Sequence, residues 1–436
     1  MDDDGLMQRV AQLEKENKEL RQLVVQLQQK ILELEAKLLL YENPNTPSSK
    51  KRFREKKDDE GEKPKGRPPG AEGSTRPTPE PTETIEAKED KCPYCHSLLG
   101  LPAFIESKVI EELPAPVALR IIRFLIAHYD CRCGRHVVAR HPDLPTGGRF
   151  GPQMLSEIAH LRMEDRLPFR KIQRSLLRRH GVLITPATML HVAERVADSL
   201  TPEYERLIKI IRAASVAYCD ETTFRVDGKD WYLWVFSDGI HTIFVLRDSR
   251  SGTMVDEILG TDFKGVIVSD GYAVYGNRGL HQRCWAHLIR ELKFAVESEP
   301  KLSGFLDDLR DIFHRTKEKI IGNPPLVERR SIRRGMEEEL RQMLDCASSH
   351  LSLRKFCTYL ENGMADWMTF VEHSGVEPTN NTAELALREH VVMRRIIGTL
   401  RGAQGARTHS VLSSVLTTWR LEGRDTSDRL ARAVVG

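Results

Sequence analysis

Three carboxylates stand where a metal-dependent reaction on a phosphodiester would need them: Asp220, Asp270 and Glu384. Asp220 closes the apolar run that begins at Ser215, and Asp270 closes a second run, Lys264 to Ser269. Between them, Trp231 to Ser237 and Thr242 to Arg247 alternate as strands do, and Gly252 to Leu259 has the pattern of a short helix. If the two Asp-ending strands lie parallel and adjacent in one sheet, their carboxylates converge. Such a pair of like charges is costly unless a divalent cation neutralises it. Hard oxygen ligands suit Mg2+ or Mn2+, and two such ions can serve the attacking and the leaving oxygen of an in-line displacement. Against this stands a plainer reading, in which an Asp before Gly is a turn residue.

Glu384 follows Pro378-Thr379-Asn380-Asn381, a turn and helix-cap signature with Asn well suited to the N-cap. The carboxylate therefore falls in the first turns of a helix able to pack beside the two strands. An exposed Glu near a positive helix end is the bland alternative.

Three strands, a helix and a strand predict a ribonuclease-H-like α/β core over 214–280 and 378–436. The intervening 281–377, rich in helix formers and charge, is expected to be an α-helical insertion. After Glu384, Arg388, Arg394, Arg395, Arg401 and Arg407 form a basic series suited to phosphates, or else a solvated helix face.

Residues 146–213 have helical periodicity, and Pro168 to His180, Gly181, then Thr185 to Val196 suggest helix, turn, helix. Arg170, Lys171, Arg174, Arg178 and Arg179 on the first of these would meet a DNA backbone, although basic helical hairpins are common without one.

Residues 91–145 carry Cys92 and Cys95, a strand-like Arg120 to Ala127, then Cys131 and Cys133. Two Cys pairs so separated resemble a zinc ribbon, in which thiolates close a tetrahedral Zn2+ site. The second pair is CxC rather than CxxC, which leaves the fourth ligand open, with His96 and His136 as substitutes.

Residues 1–42 hold a heptad repeat, with Leu6, Leu13, Leu20, Leu27 and Leu34 at d and Val10, Asn17, Val24, Ile31 and Leu38 at a. Leu at d with β-branched residues at a favours a parallel homodimer, and a lone Asn17 at a selects it. Arg9 with Glu14, Glu16 with Arg21, and Lys30 with Glu35 supply opposite charges across that coiled coil. Residues 43–90 are a Pro-rich linker too polar to fold, with a basic run at 50–57 that fits either a DNA backbone or a solvated tether.

The 66 Lys and Arg nearly balance 63 Asp and Glu, so the net charge of +3 says little about partners. The start, Met1-Asp2-Asp3-Asp4, is acidic where a secretory signal is basic, and no uncharged apolar run reaches membrane-spanning length. A soluble, cytoplasmic protein without a membrane partner is expected; eight Cys are too few and too unevenly placed for a disulfide framework, and metal binding is favoured for the four that sit in two close pairs.

The segments DETTFRV, SDGYAVY, RCWAHLIRELKF and PTNNTAELALREHVVMRRIIGTLRGAQGA resemble the DDE transposases of insertion-sequence (IS) family sixty-six, and the likeness extends over nearly the whole chain. In that family the first Asp precedes Glu-Thr, the second precedes Gly-Tyr, and the Glu lies in Asn-Asn-x-x-Glu. The resemblance thus assigns the catalytic, metal-holding roles to Asp220, Asp270 and Glu384. It also implies cleavage at element ends, strand transfer into target DNA, and accessory proteins encoded by the same element. Cys284 and His287 match a C-x-x-H element found after the second Asp in several DDE groups, with a second metal site and a structural pair both open. Two other functions stay in view: an inactive DNA-binding regulator, and a structure-specific nuclease of ribonuclease-H-like fold.

Overall fold

The computed structural model describes residues 80–102, 104–110, 118–141, 144, 147–276 and 278–435, with scattered positions between 12 and 30. The chain divides into two units, Met1–Val117 and Ala118–Gly436. In the first, Asn17, Leu20, Val24 and Leu27 are helical and exposed, which leaves those heptad positions uncovered within the unit. Leu13, most of the other heptad residues and nearly all of the linker lie outside the described residues. Cys92 and Cys95 sit on a turn closed by Cys92 N to Ser97 O and His96 N to Cys92 O, each 2.9 Å.

The second unit opens with a small antiparallel hairpin, β1 (His128–Asp130) and β2 (His136–Val138). Cys131 and Cys133 occupy its turn, where Cys131 N bonds Arg135 O. The strand expected over 120–127 is absent: that stretch is exposed and pairs with no described strand, and the hairpin starts just beyond it.

Three helices follow: α1 (Pro152–Met163), α2 (Phe169–His180) and α3 (Pro186–Arg212). Gly181 ends α2 with φ of 67°, a left-handed conformation that glycine adopts without strain. Thr185 then caps α3 by accepting from Thr188 N. Ile172 and Leu176 of α2 are buried, while Arg170, Lys171, Arg174, Arg178 and Arg179 are exposed, so the helix divides into an apolar and a basic side.

The centre is a five-stranded mixed sheet of order β5-β4-β3-β6-β7. β3 (Val216–Val226), β4 (Lys229–Ser237) and β5 (Thr242–Arg247) run antiparallel, whereas β6 (Val266–Ser269) and β7 (Leu280–Arg283) continue parallel to β3. The short helix α4 (Thr253–Leu259) lies between β5 and β6 in the chain. Alternate side chains point to opposite faces, as strand geometry dictates. Tyr218, Leu233, Val235, Phe244 and Val268 enter one core, and Ala217, Cys219, Trp234, Phe236, Val245 and Ile267 enter the other.

The first core is covered by α5 (Trp285–Ser298), α6 (Ser303–Lys319), α7 (Leu326–Ala347), α8 (Arg354–Asn362) and α9 (Thr369–Glu372), with part of α10 (Asn381–Ile397). Helices fill most of the stretch between β7 and α10, but residues 280–283 are a strand of the sheet, so the helices begin at Trp285 rather than at 281. The second core is covered by α1 to α3 and by α11 (Gly402–Leu421), with α12 (Thr426–Ala433) beside them.

Both margins of the sheet are finished by side chains. Ser410, Ser414 and Thr418, four residues apart on α11, accept from the N–H groups of Leu246, Phe244 and Thr242 at 3.0, 2.8 and 3.0 Å. On the far side, Thr369 donates to the carbonyl of His281 at 2.6 Å and Gln282 accepts from Phe370 N at 2.7 Å. No helix among the described residues is long and apolar enough to cross a membrane.

Candidate active site

Asp220 is not at the end of its strand. β3 runs on to Val226, and Asp220 sits opposite Val235 of β4, because an Asp227-Gly228 turn, with φ of 49° and 75°, returns the chain as a hairpin. The parallel ladder with β6, however, stops at Tyr218 and Val268. Asp220 thus stands just beyond the carboxyl end of the parallel pair, and Asp270 directly follows β6 in the neighbouring position. Asp220 Oδ1 accepts from Glu221 N and Asp270 Oδ1 accepts from Tyr272 N, each at 2.9 Å. Gly271 is required where it stands: a Cβ there would lie 2.5 Å from Cε2 of Tyr359 on α8.

Glu384 lies in the first turn of α10, with its N–H on the carbonyl of Asn380. Asn380 occupies the N-cap position but does not cap with its side chain. Its amide instead donates 2.8 Å to the carbonyl of Cys219, the residue before Asp220. Cys284 joins the remaining pieces. Its N–H bonds the carbonyl of Ser269, the residue before Asp270, and its Sγ accepts from Asn380 N at 3.2 Å. Trp285 N adds a bond to the carbonyl of Pro378. The backbone neighbours of all three carboxylates are knitted together through two buried residues, Asn380 and Cys284.

The electrostatics follow from that convergence. Burial raises the Asp220 carboxyl well above its ordinary range, and the charges of Asp270, Glu221 and Glu384 push it further. Glu221 is raised by burial and by Asp270, even though Tyr275 donates to its Oε2 and Arg250 to its Oε1, both at 2.6 Å. Arg250 is held in turn with its guanidinium 4.1 Å from the Tyr272 ring centre. The imidazole of His287, three residues beyond Cys284, is held below its ordinary pKa by burial, and then by Arg290, against the pull of Glu384 and Asp270. Its Nδ1 lies 3.7 Å from Glu384 Oε1, too far for a hydrogen bond. Neither buried atom has another hydrogen-bond partner among the described residues. Cys284, His287 and Glu384 together present ligand atoms all within 4.8 Å of one another, a group that could hold a metal.

Arg388 and Arg395 are exposed on α10, and their spacing of four and eleven residues from Glu384 puts them on its side of the helix. Arg401 is also exposed. Arg394 differs: it is half-buried and donates to Thr222 and Thr223, so it braces β3 instead of presenting a free charge. Arg407 is paired with Asp198 at 2.6 Å. Cys92 and Cys95 belong to the first unit and Cys131 and Cys133 to the second.

Sequence reasoning missed Glu221, Arg250, Tyr275 and the amide of Asn380. The acidic doublet Asp220-Glu221 was the one visible signal, since both residues of a doublet in a sheet can be buried only if the second finds its own cation.

A mixed sheet covered by helices on both faces, with acidic side chains gathered beyond the carboxyl ends of its central parallel strands, is compatible with a transposase core. The family model described as Transposase IS66 family matches residues 147–408, and the chain belongs to that family. It is also similar to the uncharacterized protein y4jD of Sinorhizobium fredii (strain NBRC 101917 / NGR234), 23% identical over 398 residues that cover 81% of this chain and 76% of that protein.

Proposed function

We propose that the protein is a transposase that cleaves DNA at the ends of an insertion sequence and joins them to target DNA, on a ribonuclease-H-like core. What supports this reading is that Asp220 in β3, Asp270 just after β6 and Glu384 in α10 come from separate segments, and that the charges of Asp270 and Glu384 both act on the partly buried Asp220. The strand order, with three antiparallel strands and two more added in parallel, supports the core assignment.

Buried carboxylates without a cation among them are expensive. Glu221 has Arg250, but Asp220 has no cation within ion-pair distance among the described residues, and an oxygen of Glu384 has no hydrogen-bond partner there. This donor set of hard oxygens fits Mg2+ or Mn2+, held by Asp220, Asp270 and Glu384. Such an ion would supply Lewis-acid stabilisation of the oxygens at the reacting phosphorus. The chain's own residues supply the rest. Asn380 and Cys284 fix the spacing of the carboxylates, and Arg388, Arg395 and Arg401 offer exposed guanidinium groups to the phosphate backbone. Arg170, Lys171 and Arg174 on α2 offer a second basic surface for positioning DNA. A coiled-coil homodimer through Asn17, Leu13, Leu20 and Leu27, structural zinc on the paired cysteines, and accessory proteins of the same element complete the proposal.

Incubation with the native element ends and Mg2+ or Mn2+, scoring nicked ends and joined products separately, tests it. Cleavage with joining is expected. Cleavage without joining would indicate a nuclease, and binding without either an inactive regulator.

A further inference from the structure

The element ends of α5 and α10 meet in a way that the carboxylate triad does not require. Cys284 is the N-cap of α5 and His287 falls in the first turn, so their spacing of three puts both on one side of the helix. Glu384 comes from the first turn of α10. The Cys284 thiol is fully buried, while His287 Nδ1 and Glu384 Oε1 are buried atoms that face each other with no hydrogen-bond partner among the described residues. A polar atom buried without a partner costs about 1–3 kcal/mol. Two opposed ones, both lone-pair donors if the imidazole proton resides on Nε2, suggest a missing electrophile between them.

Dimensions and chemistry agree on what that is. Ligands about 2.1 Å from a tetrahedral zinc lie about 3.4 Å apart. The His287 Nδ1–Glu384 Oε1 separation is 3.7 Å, and Sγ of Cys284 lies within 4.8 Å of a ring nitrogen of His287 and a carboxylate oxygen of Glu384. Closing the triangle asks for a small rotation of Glu384, a residue only partly buried. Sulfur, imidazole nitrogen and one carboxylate oxygen form a borderline-soft set that selects Zn2+ over Mg2+. Asn380 N–H already donates to Sγ at the N-terminus of α5, while burial, and with it the Glu384 charge, holds the Cys284 thiol up, so the metal itself would have to displace its proton.

From this geometry we infer a second, chemically distinct metal site formed by Cys284, His287 and Glu384, which takes a zinc-class transition metal and leaves one coordination position open. It shares Glu384 with the carboxylate set proposed above, but it rests on where that side chain lies and not on the DNA reaction.

Cobalt(II) is the probe, because a thiolate bound to it produces a charge-transfer absorption in the near ultraviolet. The full-length chain with Cys92, Cys95, Cys131 and Cys133 all changed to Ser removes the other candidate thiolates. That variant should still show the band on adding Co2+. Adding Cys284→Ser should abolish it, and His287→Gln should weaken Co2+ binding by at least about tenfold. Asp220→Asn and Asp270→Asn should leave the band in place, which separates this site from the proposed reaction. A four-Ser variant with wild-type circular dichroism and no band, or a band indifferent to Cys284→Ser, overturns the inference. Should the four-Ser variant not fold, zinc analysis of the otherwise unaltered chain decides. His287→Gln should then lose about one zinc per chain relative to wild type, and equal zinc contents would refute the site.

Discussion

The side-chain amide of Asn380 donates 2.8 Å to the backbone carbonyl of Cys219, tying the start of the Glu384 helix to the strand that carries Asp220. Asn380 has no exposed surface, and its Oδ1 finds no partner among the described residues. Asn380→Ala should therefore strand the Cys219 carbonyl and cost on the order of 1–3 kcal/mol, read as a shift in urea midpoint. End cleavage and joining should fall more than tenfold while gel-shift affinity for the ends is kept. Wild-type joining by a variant with that stability loss would show that the tether does not set the spacing.

Asp220→Asn, Asp270→Asn and Glu384→Gln keep size but remove a charged ligand, and each should reduce cleavage and strand transfer by orders of magnitude. DNA affinity should hold or rise as repulsion of phosphate falls. Glu389→Gln is the control, since Glu389 pairs with Arg166 at 2.6 Å on the surface. Glu221 is unsuitable as a control, because Arg250 and Tyr275 depend on it in a buried cluster. If Glu389→Gln abolished joining while Glu384→Gln kept it, the third ligand would be misassigned.

Mn2+ should raise the melting temperature of the wild-type protein by several degrees, since an ion bound only in the fold stabilises it by mass action. Asp220→Asn should lose most of that gain. Calorimetry with and without the ion measures it, and equal shifts in both proteins would remove Asp220 from the ion's ligands.

His390 and His409 form a buried pair between α10 and α11, Nδ1 to Nε2 at 3.1 Å. Burial drives His390 from 6.5 down to about 3, and His409 is also lowered by burial, then by His390. A histidine with a lowered folded pKa stabilises the fold fully above its unfolded value, and that contribution is lost as pH falls below it. Between about pH 7 and pH 5 His390 alone should account for about 2 kcal/mol of lost stability. His390→Gln should flatten the urea midpoint against pH over that range. An unchanged slope would mean that the pair is hydrated or already charged.

Asn17→Val in a peptide of residues 1–45 should strengthen association while broadening the distribution of oligomers, because the buried polar pair that selects a dimer is removed. Sedimentation equilibrium reads both effects. A wild-type peptide that stays monomeric at high concentration would end the coiled-coil reading.

The rule that a carboxylate after a short apolar run marks a strand end describes Asp270, which directly follows β6, but not Asp220, which lies inside β3 and only just beyond its parallel ladder with β6. What escaped notice has physical causes. Polar Glu221, Thr222 and Thr223 interrupt the apolar run of β3, so its continuation to the Asp227-Gly228 hairpin was missed even though that dipeptide is a strong turn signal. β7 is a largely polar tetrapeptide, Leu-His-Gln-Arg, whose His281 and Gln282 are buried by neighbours that only the fold supplies. The position of Asn380 predicts a helix cap, and only the carbonyl of Cys219, distant in sequence, shows where its amide goes.

The bare margin of a β-sheet is a template on which another chain can lay a strand. Here the three hydroxyls of α11 occupy one margin, and Thr369 and Gln282 occupy backbone and side-chain positions at the other. With the N–H groups of Thr242, Phe244 and Leu246 already taken, the β5 margin offers another chain no free row of donors on which to extend the sheet.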